Sequence, residues 1–441
     1  MLAFVVEARS FLLTGRVYPF AVLMAVIWSM WIIRVILARR YRPWLRGWHA
    51  SVAVLIPVAG EEPGMFREVL SRIVDQRPDE VLVVINGPED PALAEICAAT
   101  PGVVWTWTPR AGKRNALRIA AERASADIAV IVDSDTLWTA GTLRELVKPF
   151  ADQRIGGVST RQRILRPQRS VLTRWADWLE AIRGEYSLPA MSVLGTVGCL
   201  PGRTIAIRMD ILRAVMPQFL TGRFLGIFLE VSDDRTLTNL ILKAGYRTAY
   251  QATSLVYTDA PVALGKLIRQ QLRWARGSQY NTVRMLPWMI RHTPALALFY
   301  LADIVIPFML IASFASWATS ADRGTHRALY AALPLPGGHW QAAVSLVGLA
   351  IVMTVLSVSV RFGRHFAYVP RDLLYLPMFT AINTLLLIPI RIVGFMRMGH
   401  DSGWGTRGAA AYRGTRGLNP QASIPYLAGA LMIAVAVRAG V

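Results

Sequence analysis

Four stretches of this sequence are nearly free of charge over the thickness of a bilayer, and they confine everything else the chain can become. Residues 17–33 hold no charged side chain, 294–318 hold only Asp303, and 341–360 and 373–390 hold none. Continued to Ala38, the first run makes a helix of about 30 Å, enough to cross a hydrocarbon core. Arg34, Arg39, Arg40, Arg42 and Arg46 follow at once. A cleaved signal peptide would have a shorter apolar region and a small-residue cleavage site, so this run reads as a span with cytoplasmic chain after it. The last apolar run, 424–437, is short for a span. Counting crossings puts the basic segment 397–416 outside, against the charge rule, unless 373–395 is a helix broken by Pro377 and Pro389 that re-enters or lies in the interface. We expect that break. The expected organisation is a span in 1–40, a cytoplasmic globular domain over 41–260, interfacial helices over 261–292, transmembrane and re-entrant helices over 293–395, a cytoplasmic loop over 396–423 and a short apolar segment over 424–441.

The chain as a whole has 54% hydrophobic and 17% charged residues, with 48 Lys and Arg against 28 Asp and Glu for a formal net charge of +20. A disordered or nucleic-acid-coating chain would be poor in apolar residues, so that class is excluded. Positive charge lying beside spans suits membrane lipid headgroups and phosphate-bearing substrates, with no nucleic acid partner. Cys97 and Cys199 are too few for a disulfide framework, which fits a reducing compartment.

Within 51–260 the pattern predicts strands at 52–57, 80–86, 103–107 and 128–133, with helices near 64–75 and from Lys113. Strands alternating with crossover helices give an α/β domain with a mostly parallel sheet covered by helices on both faces. Ligands of such sheets bind beyond the carboxyl ends of the strands. There the sequence places Pro57 to Glu61 and Glu62, then Asn86-Gly87-Pro88, then Asp133-Ser134-Asp135. Two carboxylates one residue apart repel unless a cation lies between them, and Mg²⁺ or Mn²⁺ is the usual occupant of hard oxygen ligands. A helix N-cap is the plainer explanation of such a triplet. Ala111-Gly112-Lys113-Arg114-Asn115 brings a helix N-terminus and two cations toward the same crevice, a pyrophosphate site unless it is a solvated basic helix start.

These endings, in this order, resemble the family 2 inverting glycosyltransferases. Four further segments are similar to motifs of that family. They are Glu230-Val231-Ser232-Asp233-Asp234-Arg235 (the base motif), Gln270-x-x-Arg273-Trp274 (QxxRW), Cys199-Leu200-Pro201-Gly202-Arg203-Thr204 (the acceptor side) and Trp404-Gly405-Thr406-Arg407 (the WGTR loop of hyaluronan-synthase-like enzymes). Alone, QxxRW could be an amphipathic interfacial helix, and WGTR a Gly-rich loop. Together they span residues 50–410. The fine texture of VVINGP, GKRNA, DSDTLWT, VSDDRTLTN and QQLRWARGSQYN resembles the type 3 capsular polysaccharide synthases, while Asn86 stands where many members carry Asp.

The resemblance implies an A-type glycosyltransferase domain joined to transmembrane and interfacial helices in the cell membrane, multi-pass, with the catalytic domain cytoplasmic. It implies UDP-sugar donors and a growing polysaccharide as partners. Asp234 would be the base and Asp233 would orient the loop or Arg235. Asp133 and Asp135 would hold the metal. Pro57, Glu61, Asn86, Lys113, Arg114, Ser134, Arg273, Trp404 and Arg407 would contact the nucleotide. Cys199, Gly202, Arg203, Gln270 and Trp274 would face the acceptor, Trp274 as a stacking platform rather than a core tryptophan. Alternating glucose and glucuronic acid would make Arg161, Arg163 and Arg203 candidates to pair a uronate, rather than surface residues or phosphate neighbours. A homopolymer synthase or a non-processive transferase to a lipid carrier is the alternative. A transporter or scaffold would need broken motifs, and these are intact.

Overall fold

The computed structural model describes residues 19–228, 231–319, 348, 352, 354–400 and 420–438. The chain divides into two compact units, one comprising Arg34–Ala297 with Met398–Ala422, the other Met1–Ile33, Leu298–Arg397 and Ser423–Val441.

The first unit is built on an eight-stranded sheet. Its strands are β1 (Val52–Val58), β2 (Glu80–Asn86), β3 (Val103–Thr108), β4 (Ile128–Val132), β5 (Thr136–Trp138), β6 (Ile155–Ile164), β7 (Thr204–Arg208) and, after a small hairpin of β8 (Arg223–Phe224) and β9 (Ile227–Phe228), β10 (Arg247–Thr258). The sheet order is β3-β2-β1-β4-β7-β6-β10-β5. The four strands read from the sequence are parallel neighbours, in register at pairs such as Val54↔Val81 and Val54↔Val130. The sheet is nevertheless mixed, because β7 runs antiparallel between β4 and β6, and β5 antiparallel to β10. That half of the sheet lies after residue 133, beyond the strands that the sequence pattern predicts.

Alternation along β1 and β4 feeds two cores. Val52, Val54, Ile56, Ile128 and Val130 face one side and meet Phe66, Val69 and Leu70 of α1 (Pro63–Val74). Ala53, Leu55, Ala129 and Ile131 face the other and meet Leu117 and Ala120 of α2 (Lys113–Arg123). Later in this unit come α3 (Val171–Ile182), α4 (Met209–Thr221), α5 (Asp233–Lys243) and the long α6 (Leu264–His292), of which α4 and α5 pack into this second core. A register shift between β6 and β10 leaves Gly156 as an extra residue in the ladder. A Cβ there would meet Tyr246 Cβ at 2.7 Å, Ile211 at 2.9 Å and Ile241 at 3.0 Å, so the missing side chain lets α4 and α5 seat on the sheet. The segment before β1 is strapped to β10. Tyr41 donates to the Tyr250 carbonyl at 2.7 Å and accepts from the Ala252 N–H at 3.1 Å, and the Gln251 amide brackets both main-chain groups of Trp44.

The apolar run near the N-terminus forms one helix, Pro19–Arg40, closing on Arg39 and Arg40. Among the described residues two helices are long and apolar enough to cross a membrane, Pro294–Ala312 and Pro370–Met396, while Pro420–Val435 is shorter. Most of the 341–360 run lies outside the described residues. The chain expected to break at Pro377 and Pro389 runs on through both. Pro370–Tyr375 is a 3₁₀ turn, Leu376–Ala381 is α-helical, Ile382–Leu387 is a π-helical turn and Ile388–Met396 is α-helical, giving one continuous path. Pro377 and Pro389 each stand in the first two positions of an α segment, where no N–H is needed, and the wider π turn before Pro389 relieves its ring. In this second unit Phe308 meets Phe395 edge-on, and His365 pairs with Asp372 at 2.9 Å, both buried.

Candidate active site

The ends of β1, β2 and β4 are tied together by their own polar side chains. Pro57 is half-buried near the end of β1. Glu61 accepts a hydrogen bond from Ser134 Oγ at 2.6 Å, joining the loop after β1 to the turn after β4. Asn86 is buried. Its Nδ2 donates to the Val58 carbonyl at 2.9 Å, and its Oδ1 accepts from the Gly112 N–H at 3.0 Å. A carboxylate could not donate to Val58, which accounts physically for an amide at this strand end. Asn86 therefore braces two strand ends and the glycine, at φ 127, that opens α2.

The first turn of α2 sends its two cations in different directions. Lys113 ion-pairs with Asp133. Burial works against its ammonium, but Asp133, then Asp233 and Asp234, outweigh that and hold its pKa above the ordinary lysine value. Arg114 points inward, correcting the expectation that it faces a nucleotide. Its Nε donates to Asp233 at 2.6 Å and its Nη1 to the Phe219 carbonyl at 2.8 Å, with 3% of the side chain exposed. Of the two roles expected for Asp233, orienting the loop or orienting Arg235, the contact it makes is with Arg114 and not with Arg235. Arg235 instead donates to Ser278 and Thr282 of α6.

Asp234 is the member of the pair that remains half-buried. Its Oδ1 accepts from the Arg235 N–H at 2.8 Å. Its Oδ2 accepts from the Gly202 N–H at 3.3 Å and lies 3.7 Å from Cys199 Sγ. Burial, then the Asp234 charge, pushes the Cys199 thiol up to about 12. Ser232 stands at φ 62, a left-handed conformation uncommon outside glycine, and caps α5 without a side-chain hydrogen bond. Gly277 lies against Ser232 so closely that a Cβ would collide with it, so α6 reaches the Asp234 loop only because that position is glycine.

Around Arg203 stand acids of α3 that the sequence motifs do not include. Arg203 donates at 2.7 Å to both Gln162 and Glu180, and its guanidinium lies 6.0 Å from the Trp274 ring. Burial would raise the Glu180 pKa, but Arg203 and Arg183 hold the carboxyl below its usual range. Arg163 is bound through two nitrogens to buried Asp177, at 2.8 and 2.6 Å, so its expected availability to a uronate is corrected. Arg161 is half-buried on β6. Asp177 and Glu180 were legible only as two acids among the tryptophans of one helix, Trp175 and Trp178. Gln270 and Arg273 are half-buried on α6, and Trp274 is 39% exposed. Trp404 and Arg407 lie outside the described residues.

Asp133, Lys113, Gly202 and Asp234 thus converge on one crevice, with Asp135 half-buried two residues beyond Asp133. Among the described residues no three acidic, His or Cys side chains form a ready-made metal cage. Mg²⁺ is usually held by one or two carboxylates together with substrate phosphates, so the donor set of Asp133 and Asp135 fits a hard divalent ion arriving with a diphosphate.

Residues 49–277 match the family described as Glycosyltransferase like family 2. An N-acetylglucosaminyltransferase of Mesorhizobium japonicum is 28% identical over 370 residues, covering 82% of each chain. A hyaluronan synthase of Streptococcus pyogenes is 24% identical over 391 residues, covering 85% of this chain and 88% of the synthase. The mannosyltransferase PcManGT from Pyrobaculum calidifontis, solved with GDP-Man and Mn²⁺, superposes with a TM-score of 0.49 at 22% identity over 83% of this chain and 98% of that one.

A Cβ on Gly202 would lie 3.4 Å from Asp234 Cβ, 3.5 Å from the Lys113 ammonium and 3.8 Å from Asp133 Oδ2. These are ordinary contacts, so Gly202→Ala should keep its thermal midpoint while narrowing the crevice. Turnover of a nucleotide-sugar should fall by about tenfold or more. Unchanged turnover would show that the reacting groups do not meet at this glycine.

Proposed function

The chain belongs to glycosyltransferase-like family 2, and from that premise we propose that it is a membrane-bound, inverting and processive polysaccharide synthase that polymerises and exports sugar units from UDP-sugar donors. The observation that carries this reading is the convergence of Lys113, Asp133, Gly202 and Asp234 at the strand ends. Inverting transfer needs one proton acceptor opposite a leaving diphosphate whose charge is neutralised. In this reading the acceptor hydroxyl oxygen bonds to C1 of the donor sugar, its proton passes to Asp234, and UDP departs with the electron pair of the broken bond. Lys113 and Arg273 neutralise the departing charge, Pro57, Glu61 and Ser134 form the nucleotide end of the crevice, and Asn86 braces it. Asp133 and Asp135 would hold Mg²⁺ or Mn²⁺, which supplies Lewis-acid stabilisation of the diphosphate when bound. Trp274 stacks under the acceptor sugar, with Cys199, Gly202, Arg203 and Gln270 around it, and Trp404 with Arg407 close the site against water.

The segment carrying Trp404 is proposed to stay on the cytoplasmic side, with the catalytic domain. In support, Arg276 of α6 donates to the His400 carbonyl at 2.6 Å, and Gln421 lies beside Gly226, so both flanks of 401–419 attach to the catalytic unit. Ser402→Cys in intact cells should stay unlabelled by an impermeant thiol reagent. Labelling from outside would overturn the lid role of Trp404.

The likeness in texture to type 3 capsular polysaccharide synthases supports alternating glucose and glucuronic acid, with Arg161 as the cation for the uronate. The named N-acetylglucosaminyltransferase relatives support a second reading, in which N-acetylglucosamine is a donor sugar. Purified protein in detergent, given radiolabelled UDP-glucose, UDP-glucuronic acid and UDP-N-acetylglucosamine singly and in pairs, separates the two. A long product only with glucose and glucuronic acid together, lost with EDTA and restored by Mg²⁺ or Mn²⁺, is the expected result. A long product from one donor would make the protein a homopolymer synthase, and a product one sugar longer than its acceptor would refute processivity.

A further inference from the structure

We propose that Arg114, through its buried ion pair with Asp233, holds the turn that aims Asp234, and so sets the rate of transfer without touching the donor. The proposal rests on the functional reading above and adds a positioning residue to it. Lys113 and Arg114 are consecutive on a helix of 3.6 residues per turn, so their side chains leave it about 100° apart. The first meets Asp133 at the crevice, with 12% and 31% of the two side chains exposed, and the second meets Asp233 with 3% and 7% exposed.

The Arg114 guanidinium sits in a closed seat. Its Nε binds Asp233 at 2.6 Å and its Nη1 the Phe219 carbonyl at 2.8 Å, and its carbon lies 4.7 Å from the Phe219 ring and 5.4 Å from the Phe228 ring. An arginine so enclosed does not reach a ligand in the crevice.

The turn it grips needs an external hold. Ser232 occupies a left-handed conformation and gives the α5 backbone no side-chain cap; its hydroxyl donates to Asp234 Oδ1 at 3.3 Å, so Asp234 has a local partner, while Asp233 takes its direction from a tertiary one, Arg114. Asp233 finds Arg114, and Asp234 finds the N–H groups of Gly202 and Arg235. Because Arg114 and Lys113 share one helical turn, the piece of backbone that meets the donor also fixes the orientation of the base. A misplacement of about 1 Å at such a group can cost about 10² in rate.

The test is a double-mutant cycle on the purified protein, with wild-type turnover measured first on the three UDP-sugars. Arg114→Lys keeps the charge but not the two-point grip, and Asp233→Asn keeps the shape but not the charge. Each should lower kcat about 10- to 100-fold with donor KM and UDP affinity changed by less than about threefold. The double variant should fall no further than the worse single, as for residues acting through one contact. Donor KM and UDP affinity that weaken in step with kcat would place Arg114 on the donor and overturn the proposal. So would losses that multiply in the double variant, or an unchanged kcat. If the charge variants do not fold, Phe228→Leu removes one wall of the seat and leaves both charges. It should lower kcat severalfold at constant KM, and an unchanged kcat there overturns the proposal equally. Wild-type protein that turns over none of the donors would overturn the functional reading and this proposal with it.

Discussion

An acidic crevice must carry its own counter-charges, and here one helical turn supplies them. Asp133 and Asp135 follow β4, while Asp233 and Asp234 open α5; left alone, these carboxylates would repel one another in a partly desolvated space. Lys113 answers Asp133 of the first pair and Arg114 answers Asp233 of the second. The sheet brings the two acidic segments within reach because Asp133 shares a main-chain hydrogen bond with Arg203, next to Gly202, and Gly202 in turn donates to Asp234. The crevice is thus a closed circuit of opposite charges and N–H donors, with a glycine at its centre.

A second set of contacts joins this circuit to the QxxRW helix. Arg235 binds Ser278 and Thr282, Thr236 meets the Tyr280 hydroxyl, and Asn239 donates to Asn281, so α5 and α6 are matched by buried polar groups rather than by apolar packing alone. Buried polar groups demand their partners, which makes the register between the two helices specific. Gly277 then permits the close approach at Ser232. Trp274 and Asp234 consequently stand on helices that do not slide past each other.

Much of this was legible in the sequence, and the misses have physical causes. The first four strands, the helix from Lys113 and the polar strand ends follow from apolar alternation and turn chemistry. The antiparallel insertion of β7 was not legible, because strand direction depends on a long connection through α3 that carries no local signal. Arg114 looked like a phosphate ligand because it neighbours Lys113, yet a rotation of one residue turns it into the protein. Arg163 and Arg203 looked available because their acids, Asp177 and Glu180, lie on a different element. Pro377 and Pro389 looked like breaks because sequence does not reveal the 3₁₀ turn before the first or the π turn before the second.

The claim on which the account turns is that Asp234, held by Gly202 and Arg235 and left half-buried, takes the proton of the acceptor hydroxyl. The direct measurement is UDP binding and sugar transfer by Asp234→Asn side by side with wild type. The account predicts wild-type affinity for UDP and a loss of transfer of about 10² or more. Transfer near the wild-type rate in Asp234→Asn would contradict it.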